Sequence, residues 1–322
     1  MAKTAAAVLT VVLAAGCVTE PAADPGSDDR PAGSPPSSAT ADAPSPGSER
    51  GSTGAAPAAP RPARSPGRLA ARLVAAETVA RSPATSPDDR ARAAFETQLL
   101  YRQLARRDQW LRPVLRAVEP SLRPTVRAHV TARRAFRGMH TQLARTLPTW
   151  RIVDPAPAGR LLAYYRAGER RFGVPWEVLA AVHLVETGMG RIRGTSVAGA
   201  RGPMQFMPQT WAAFGRGDID DDRDAILAAA RYLAHNGGGR GRVDAALYAY
   251  NRHPAYVRGV QAYAEVLRAD PRAYAGLHGW QVVYLSAAGD VWLPTGYRQR
   301  RSVPVRSYLA RHPEHLLGSA TD

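Results

Sequence analysis

Residues 175–190 read Pro175-Trp176-Glu177-Val178-Leu179-Ala180-Ala181-Val182-His183-Leu184-Val185-Glu186-Thr187-Gly188-Met189-Gly190. Pro175 suits the first position of a helix, and the apolar residues that follow, Val178, Leu179, Val182 and Val185, recur at helical spacing. At about 100° per residue, Glu186 falls between Leu179 and Val182, inside that stripe, whereas Glu177 falls on the opposite face. A carboxylate on the apolar side is costly to keep ionised, so its pKa rises and it holds a proton near neutrality, as a general acid must. The competing reading turns Glu186 out to water at the helix end, helped by Gly188 and Gly190.

Two further segments carry chemistry. Gly199-Ala200-Arg201-Gly202-Pro203-Met204-Gln205-Phe206-Met207-Pro208 is followed by Thr210-Trp211, and Leu247-Tyr248-Ala249-Tyr250-Asn251 ends a later helix. Gly199 and Gly202 allow backbone conformations closed to other residues and let a flat polymer approach the main chain, so the loop is expected to wall a groove. Gln205 offers a donor and an acceptor to a polar ligand, and Tyr250 offers a ring face and a hydroxyl. Phe206, Met207 and Trp211 read as packing, Pro208 as the start of a short helix, and Tyr248 as a further core residue.

In this order, the three motifs resemble the lysozyme-like domain of the lytic transglycosylases over roughly Leu161 to Leu267, and the Gln-Phe-Met-Pro run resembles the membrane-bound B-type branch. The resemblance implies that Glu186 is the catalytic acid, Gln205 the glutamine of the glycine-rich binding loop, and Tyr250 and Asn251 the aromatic-asparagine pair. Met204 and Ser196 join them as candidate substrate contacts. Thr187 stands where many members carry Ser, and Pro203 where they carry Leu or Tyr. The hydroxyl is kept, and the proline stiffens a loop that its glycines leave loose.

Ordinary glycoside hydrolysis needs two carboxylates flanking the scissile bond, and no convincing second one is present. Asp218, Asp220, Asp221, Asp222 and Asp224 begin like a calcium loop, but Arg223 occupies the glycine position and no Glu closes it. They read as an acidic cap on a helix from Asp222 to Ala234. No metal and no cofactor are expected. A single acid suffices in the mechanism that the resemblance implies. Glu186 protonates the oxygen joining N-acetylmuramic acid to N-acetylglucosamine, then takes the proton of the C6 hydroxyl as it closes a 1,6-anhydro ring. Two alternatives remain open: a hydrolytic muramidase on the same fold and a non-catalytic wall-binding protein.

At the beginning of the chain, Lys3 precedes the apolar stretch Ala5–Ala15, and Ala14-Ala15-Gly16-Cys17 has the small residues of a cleavage site. Cys17, the only cysteine, resembles a lipobox cysteine and is the expected lipid attachment point. Intramolecular disulfides are thereby excluded. Residues 18–67 are rich in Pro, Ala, Ser and Gly and read as a disordered tether spanning about 40 Å as a random coil. The expected location is extracytoplasmic, lipid-anchored to the cell membrane and reaching the wall.

Charge is uneven. Residues 61–172 hold 23 basic and 8 acidic side chains, against 17 and 13 in residues 173–322, in a chain of net charge +16. The excess lies in a basic helical segment, residues 68–150. There Ser86-Pro87-Asp88 starts a helix, and Phe95, Leu99, Leu100 and Leu104 form one apolar face, with Leu122, Val126, Val130 and Phe136 another. A secreted chain rarely meets nucleic acid, so anionic wall polymers, glycan strands and wall proteins are the expected partners, with a simple solvated face as the structural alternative. The lysozyme-like domain is placed at 157–270. A tail at 271–322 follows, in which Gly279–Leu285 and Val291–Leu293 flank Ala288-Gly289-Asp290 as a β-hairpin. The expected class is mainly α.

Overall fold

The computed structural model describes residues 59–318; Cys17, the apolar stretch before it and residues 18–58 of the expected tether lie outside the described residues. Helix α1 (Pro66–Arg81) starts at Ser65, whose hydroxyl accepts from the Arg68 N–H at 3.3 Å. Helix α2 (Pro87–Arg106) repeats the device, Ser86 accepting from the Asp89 N–H at 3.1 Å. In both, proline occupies a position whose N–H would have no helical partner, and a side-chain oxygen satisfies one of the remaining donors. Helices α3 (Asp108–Ala117) and α4 (Arg123–Gly138) follow. Phe95, Leu100, Leu104, Leu122, Val126, Val130 and Phe136 are all buried, as their periodicity requires, while Leu99 at the edge of that face is half-buried. The tether ends earlier than its composition suggests. Ala63 is buried, and its N–H and C=O bond both ends of the Gln103 amide at 2.9 and 2.8 Å, so residues 59–67 lie against α2.

Seven helices come next: α5 (Ala158–Phe172), α6 (Trp176–Thr187), α7 (Pro208–Phe214), α8 (Asp222–His235), α9 (Val243–Tyr250), α10 (Pro254–Ala269) and α11 (Ala273–His278). Helix α6 is enclosed by α5, α8 and α10. It is buried without interruption from Val178 to Thr187, so the apolar stripe of the sequence is part of a helix covered on every side, and even Glu177 is half-buried. Helix α10 lies between α6 and α4, and it packs tightly on α4 at Gly259, where an added Cβ would stand 2.3 Å from the Phe136 ring. Through this contact, Leu69, Leu73, Val126 and Phe136 share one hydrophobic core with Leu179, Val182, Tyr256 and Leu267. The basic helices and the helices carrying the motifs are therefore one packed body, with no gap between cores at residues 150–157.

The remaining structure is a small β layer. Strands β1 (Thr146–Leu147), β2 (Arg151–Ile152) and β3 (Ile192–Arg193) are short, while β4 (Val282–Ser286) and β5 (Gly289–Leu293) form the hairpin. Ser286 pairs with Gly289, so the connecting residues are Ala287 and Ala288, one step earlier than the glycine turn read from the sequence. Strand β6 (Val303–Pro304) pairs with β1, α12 (Val305–Leu309) follows, and β7 (Leu316–Gly318) extends the hairpin to three strands beside β5. Strand β2 pairs with β3. The tail thus packs onto residues 144–152 around Leu147, Trp150, Ile152, Tyr284 and Leu293. Asp290 fastens it to α2, accepting from Arg102 at two positions, each 2.6 Å, and pairing with Arg106. Burial pushes the Asp290 carboxyl up, but these two guanidiniums outweigh it and hold the group below the usual carboxylate range. No helix among the described residues is long and apolar enough to cross a membrane.

Candidate active site

The end of α6 is built to turn Glu186 inward. Gly188 adopts φ +63° and closes the helix, its N–H donating to Leu184 C=O at 3.0 Å, while the Met189 N–H donates to His183 C=O at 3.0 Å. Thr187 then reaches both ways. Its hydroxyl accepts from the Gly190 N–H at 3.0 Å and donates to Pro203 C=O at 2.6 Å. With the helix end held on one side and the glycine-rich loop on the other, Glu186 has no solvent exposure. The reading that places it in water at the helix end is overturned.

The glycine-rich loop is tighter than its composition suggests. Arg201 and Phe206 exchange backbone hydrogen bonds of 2.9 and 2.8 Å, which confines residues 202–205 to a turn. Gly202 has φ +73°, and a Cβ there would stand 2.0 Å from the Ile219 carbonyl oxygen, so only glycine fits. Gln205 itself adopts φ +50°, and its backbone and side-chain N–H groups both donate to Gly202 C=O, at 3.0 and 2.9 Å. Its side chain is buried and its amide nitrogen is engaged within the turn, rather than open to a sugar as the sequence suggested. Met204 is likewise buried, and its carbonyl accepts from the Tyr250 hydroxyl at 2.6 Å. The turn therefore hangs between Thr187 and Tyr250, and this suspension brings the three sequence motifs together.

Ser196 and Asn251 stand at the margins. Ser196 shapes the preceding loop, its hydroxyl accepting from the Ala200 N–H at 2.9 Å. Asn251 caps α9 and is buried. Phe206 is fully packed, and Met207 and Trp211 lie half-buried against the core. Tyr248, read as core, is 48% exposed, because it faces away from the surface of α9 that carries Leu247 and Tyr250.

Tyr256, near the start of α10, completes the site and escaped the sequence reading. Its hydroxyl donates to Glu186 Oε1 at 2.7 Å, and its ring lies parallel to that of Tyr250 with centroids 6.4 Å apart. The available signal was Tyr256, Val260, Tyr263 and Leu267 along one face of α10, which reads simply as core. Glu186 Oε2 is sealed and has no hydrogen-bond partner. Burial drives the Glu186 pKa up to about 8, against the opposing pull of the Tyr256 hydroxyl. Among the described residues no second carboxylate contributes to this shift. The acid is protonated at neutral pH, with one oxygen held and the other enclosed without a partner.

The aspartate cluster serves structure. Asp221 caps α8 by accepting from the Asp224 N–H at 2.9 Å, and Asp222 and Asp220 pair with Arg193 and Arg201. These groups line a polar cavity of about 770 Å³ that adjoins the Gly202 turn and also includes Arg151 and Thr195. Three potential metal-ligating side chains meet only at His312, Glu314 and His315 among the described residues, on the C-terminal tail.

Comparison with known proteins follows the same lines. Residues 163–270 match the transglycosylase SLT domain family. A curated relative, membrane-bound lytic murein transglycosylase F of Thiobacillus denitrificans, is 29% identical over 122 residues, which cover 36% of this chain and 26% of that protein. The chain thus spans about a quarter of the relative's length. Its name does not carry the B-type branch that the Gln-Phe-Met-Pro run resembles. No solved structure matches the chain significantly. Glu186, the Gly202 turn and Tyr250 all fall inside the span that matches the transglycosylase SLT domain.

Proposed function

We propose that this protein cleaves the β-1,4 bond between N-acetylmuramic acid and N-acetylglucosamine in peptidoglycan and leaves 1,6-anhydromuramoyl ends. The observation that carries this reading is a solitary, enclosed carboxyl, protonated at neutral pH, with Oε1 held by Tyr256 and Oε2 without a partner. In the first step the proton passes from Glu186 to the glycosidic oxygen, the C1–O bond breaks, and the muramoyl N-acetyl oxygen supports the positive charge at C1. In the second, the Glu186 carboxylate takes the proton of the C6 hydroxyl as that oxygen bonds to C1. Water is not consumed, and the carboxyl regains its proton. Tyr256 can donate to the carboxylate between the two steps, which limits the cost of the buried charge. Because Glu186 is sealed, the substrate must uncover Oε2 on entry, and the suspended Gly202–Gln205 turn is the segment we assign to substrate contact, with Tyr250, Asn251, Met204 and Ser196 around it.

Action on peptidoglycan puts the domain outside the cytoplasm. The proposed anchor is lipid on Cys17, supported by the apolar stretch Ala5–Ala15 and the small residues before the cysteine. The deciding experiment is mass analysis of the products of purified peptidoglycan treated with wild type and Glu186→Gln. The expected products are anhydro-ended muropeptides from wild type and none from the variant. Reducing ends would instead favour a hydrolytic muramidase, and equal release by Glu186→Gln would remove the acid from the mechanism.

A further inference from the structure

The basic helices contain a site that the glycosidic chemistry does not use. A cavity of about 350 Å³ opens between α2 and α4 beside the hairpin, and its walls include Arg102, Arg106, Arg133, Arg134, Arg137 and His140. Five arginines therefore line a space large enough for one small anion. The carboxylates that answer them are few: Asp290 pairs with Arg102 and Arg106, and the exposed Asp108 pairs with Arg134. Arg133 and Arg137 have no ion-pair partner among the described residues.

Arg133 is the decisive member. It is 7% exposed, its Nε and Nη2 are sealed without hydrogen-bond partners, and its guanidinium is held over the Trp280 ring at 4.8 Å. A buried cation held in place by an aromatic face, with no ion pair of its own and only a share of the Asp290 charge, gains from a ligand that supplies the remainder. Burial, with help from the like charges of Arg102 and Arg106, pushes Arg133 down to about 10, and Arg106 is lowered for related reasons. His140 Nδ1, in the same wall, is also sealed without a partner. A surface face that serves only solubility would spread its arginines into water. Here they converge.

We propose that this cleft binds a phosphoryl anion. Guanidinium forks match both carboxylate and phosphate oxygens, but two carboxylate oxygens cannot serve three or more converging forks. A tetrahedral phosphoryl group presents more acceptors and, as a monoester or free ion, more charge, which matches the excess left after Asp290 and Asp108 are counted. Three sources share this chemistry outside a bacterial cell: phosphomonoester ends of wall polymers, phosphatidic acid headgroups and free phosphate.

The test uses the full chain and binding as its readout, so it stands apart from the chemistry at Glu186. Inorganic phosphate, a glycerol-phosphate oligomer ending in a phosphomonoester and phosphatidic acid vesicles are compared at constant ionic strength with chloride and with phosphatidylcholine vesicles, by thermal shift, calorimetry and co-sedimentation. Phosphoryl probes are expected to bind wild type above the controls. Arg137→Ala, at an exposed position outside the core, should weaken binding about tenfold, the loss of one charge-assisted contact. Arg127→Ala, on the exposed side of the same helix and outside the cleft, should leave it unchanged. Tightest binding to the oligomer assigns the cleft to wall polymer, to vesicles assigns it to lipid, and to inorganic phosphate alone assigns it to a small ligand. Binding no better than chloride, or equal weakening by Arg127→Ala and Arg137→Ala, overturns the proposal.

Discussion

The Tyr256 hydroxyl donates to Glu186 Oε1 at 2.7 Å across 70 residues of sequence, and the other carboxyl oxygen is left sealed and unpartnered. One oxygen is thereby oriented and the other is available, which is the geometry a single acid needs to give a proton and later take one back.

Replacing Glu186 by Gln should abolish release of soluble muropeptides while stabilising the protein. The wild-type pKa is about 8 when folded and near 4.5 when unfolded, so the folded state holds an extra proton between those values and wild-type stability falls as pH rises through that window. Thermal unfolding of the two proteins should nearly coincide near pH 4 apart from a constant offset. The variant should gain steadily on wild type toward pH 8. A constant difference across this range would contradict a raised Glu186 pKa.

Tyr256→Phe removes the one hydrogen bond that favours the ionised acid. The alkaline limb of kcat/KM, expected near pH 8 for wild type, should move to higher pH, and the rate at neutrality should fall about 10- to 100-fold as the carboxylate formed in mid-reaction loses its donor. A limb that stays in place or moves to lower pH would show that Tyr256 only packs.

At the loop, Gly202→Ala and Gly199→Ala separate backbone strain from collision. Both positions have positive φ, but only at Gly202 does a Cβ meet a neighbour, the Ile219 carbonyl oxygen. Gly199→Ala should lose about 1 kcal/mol, the cost of the backbone conformation alone, whereas Gly202→Ala should lose at least about 2–3 kcal/mol and most of the activity. Urea unfolding and muropeptide release measure the two effects.

Asp290→Asn leaves Arg102 and Arg106 without their carboxylate and should cost about 3–5 kcal/mol in urea unfolding. The folded pKa of Asp290 is depressed, so its contribution is present above the usual carboxylate pKa and is lost as pH falls through the folded value. The gap between variant and wild type should therefore shrink in strong acid. A small and pH-independent gap would mean that the hairpin is held by its apolar contacts instead.

Much of this protein was readable because its signals are local. Helical periodicity compares residues three and four apart, so the placement of Glu186 on the apolar side of α6 needed only the run from Val178 to Val185. Ser86-Pro87 at a helix start, the faces of α2 and α4, Pro208 opening α7 and Asp221 capping α8 rest on the same short range. What the chain alone determined was therefore several helix starts and faces, the mainly α class and the placement of Glu186 on an apolar face. Tertiary structure decided which distant groups meet. Tyr256 looked like core until α10 folded against α6, and Gln205 looked free until the Gly202 turn closed on its amide. The arginines of α2 and α4 looked like a solvated face until helix packing turned five of them onto one cleft. Hydrogen bonding and ion pairing act over a few ångströms whatever the sequence separation, so these partnerships exist only once the chain has been packed in three dimensions.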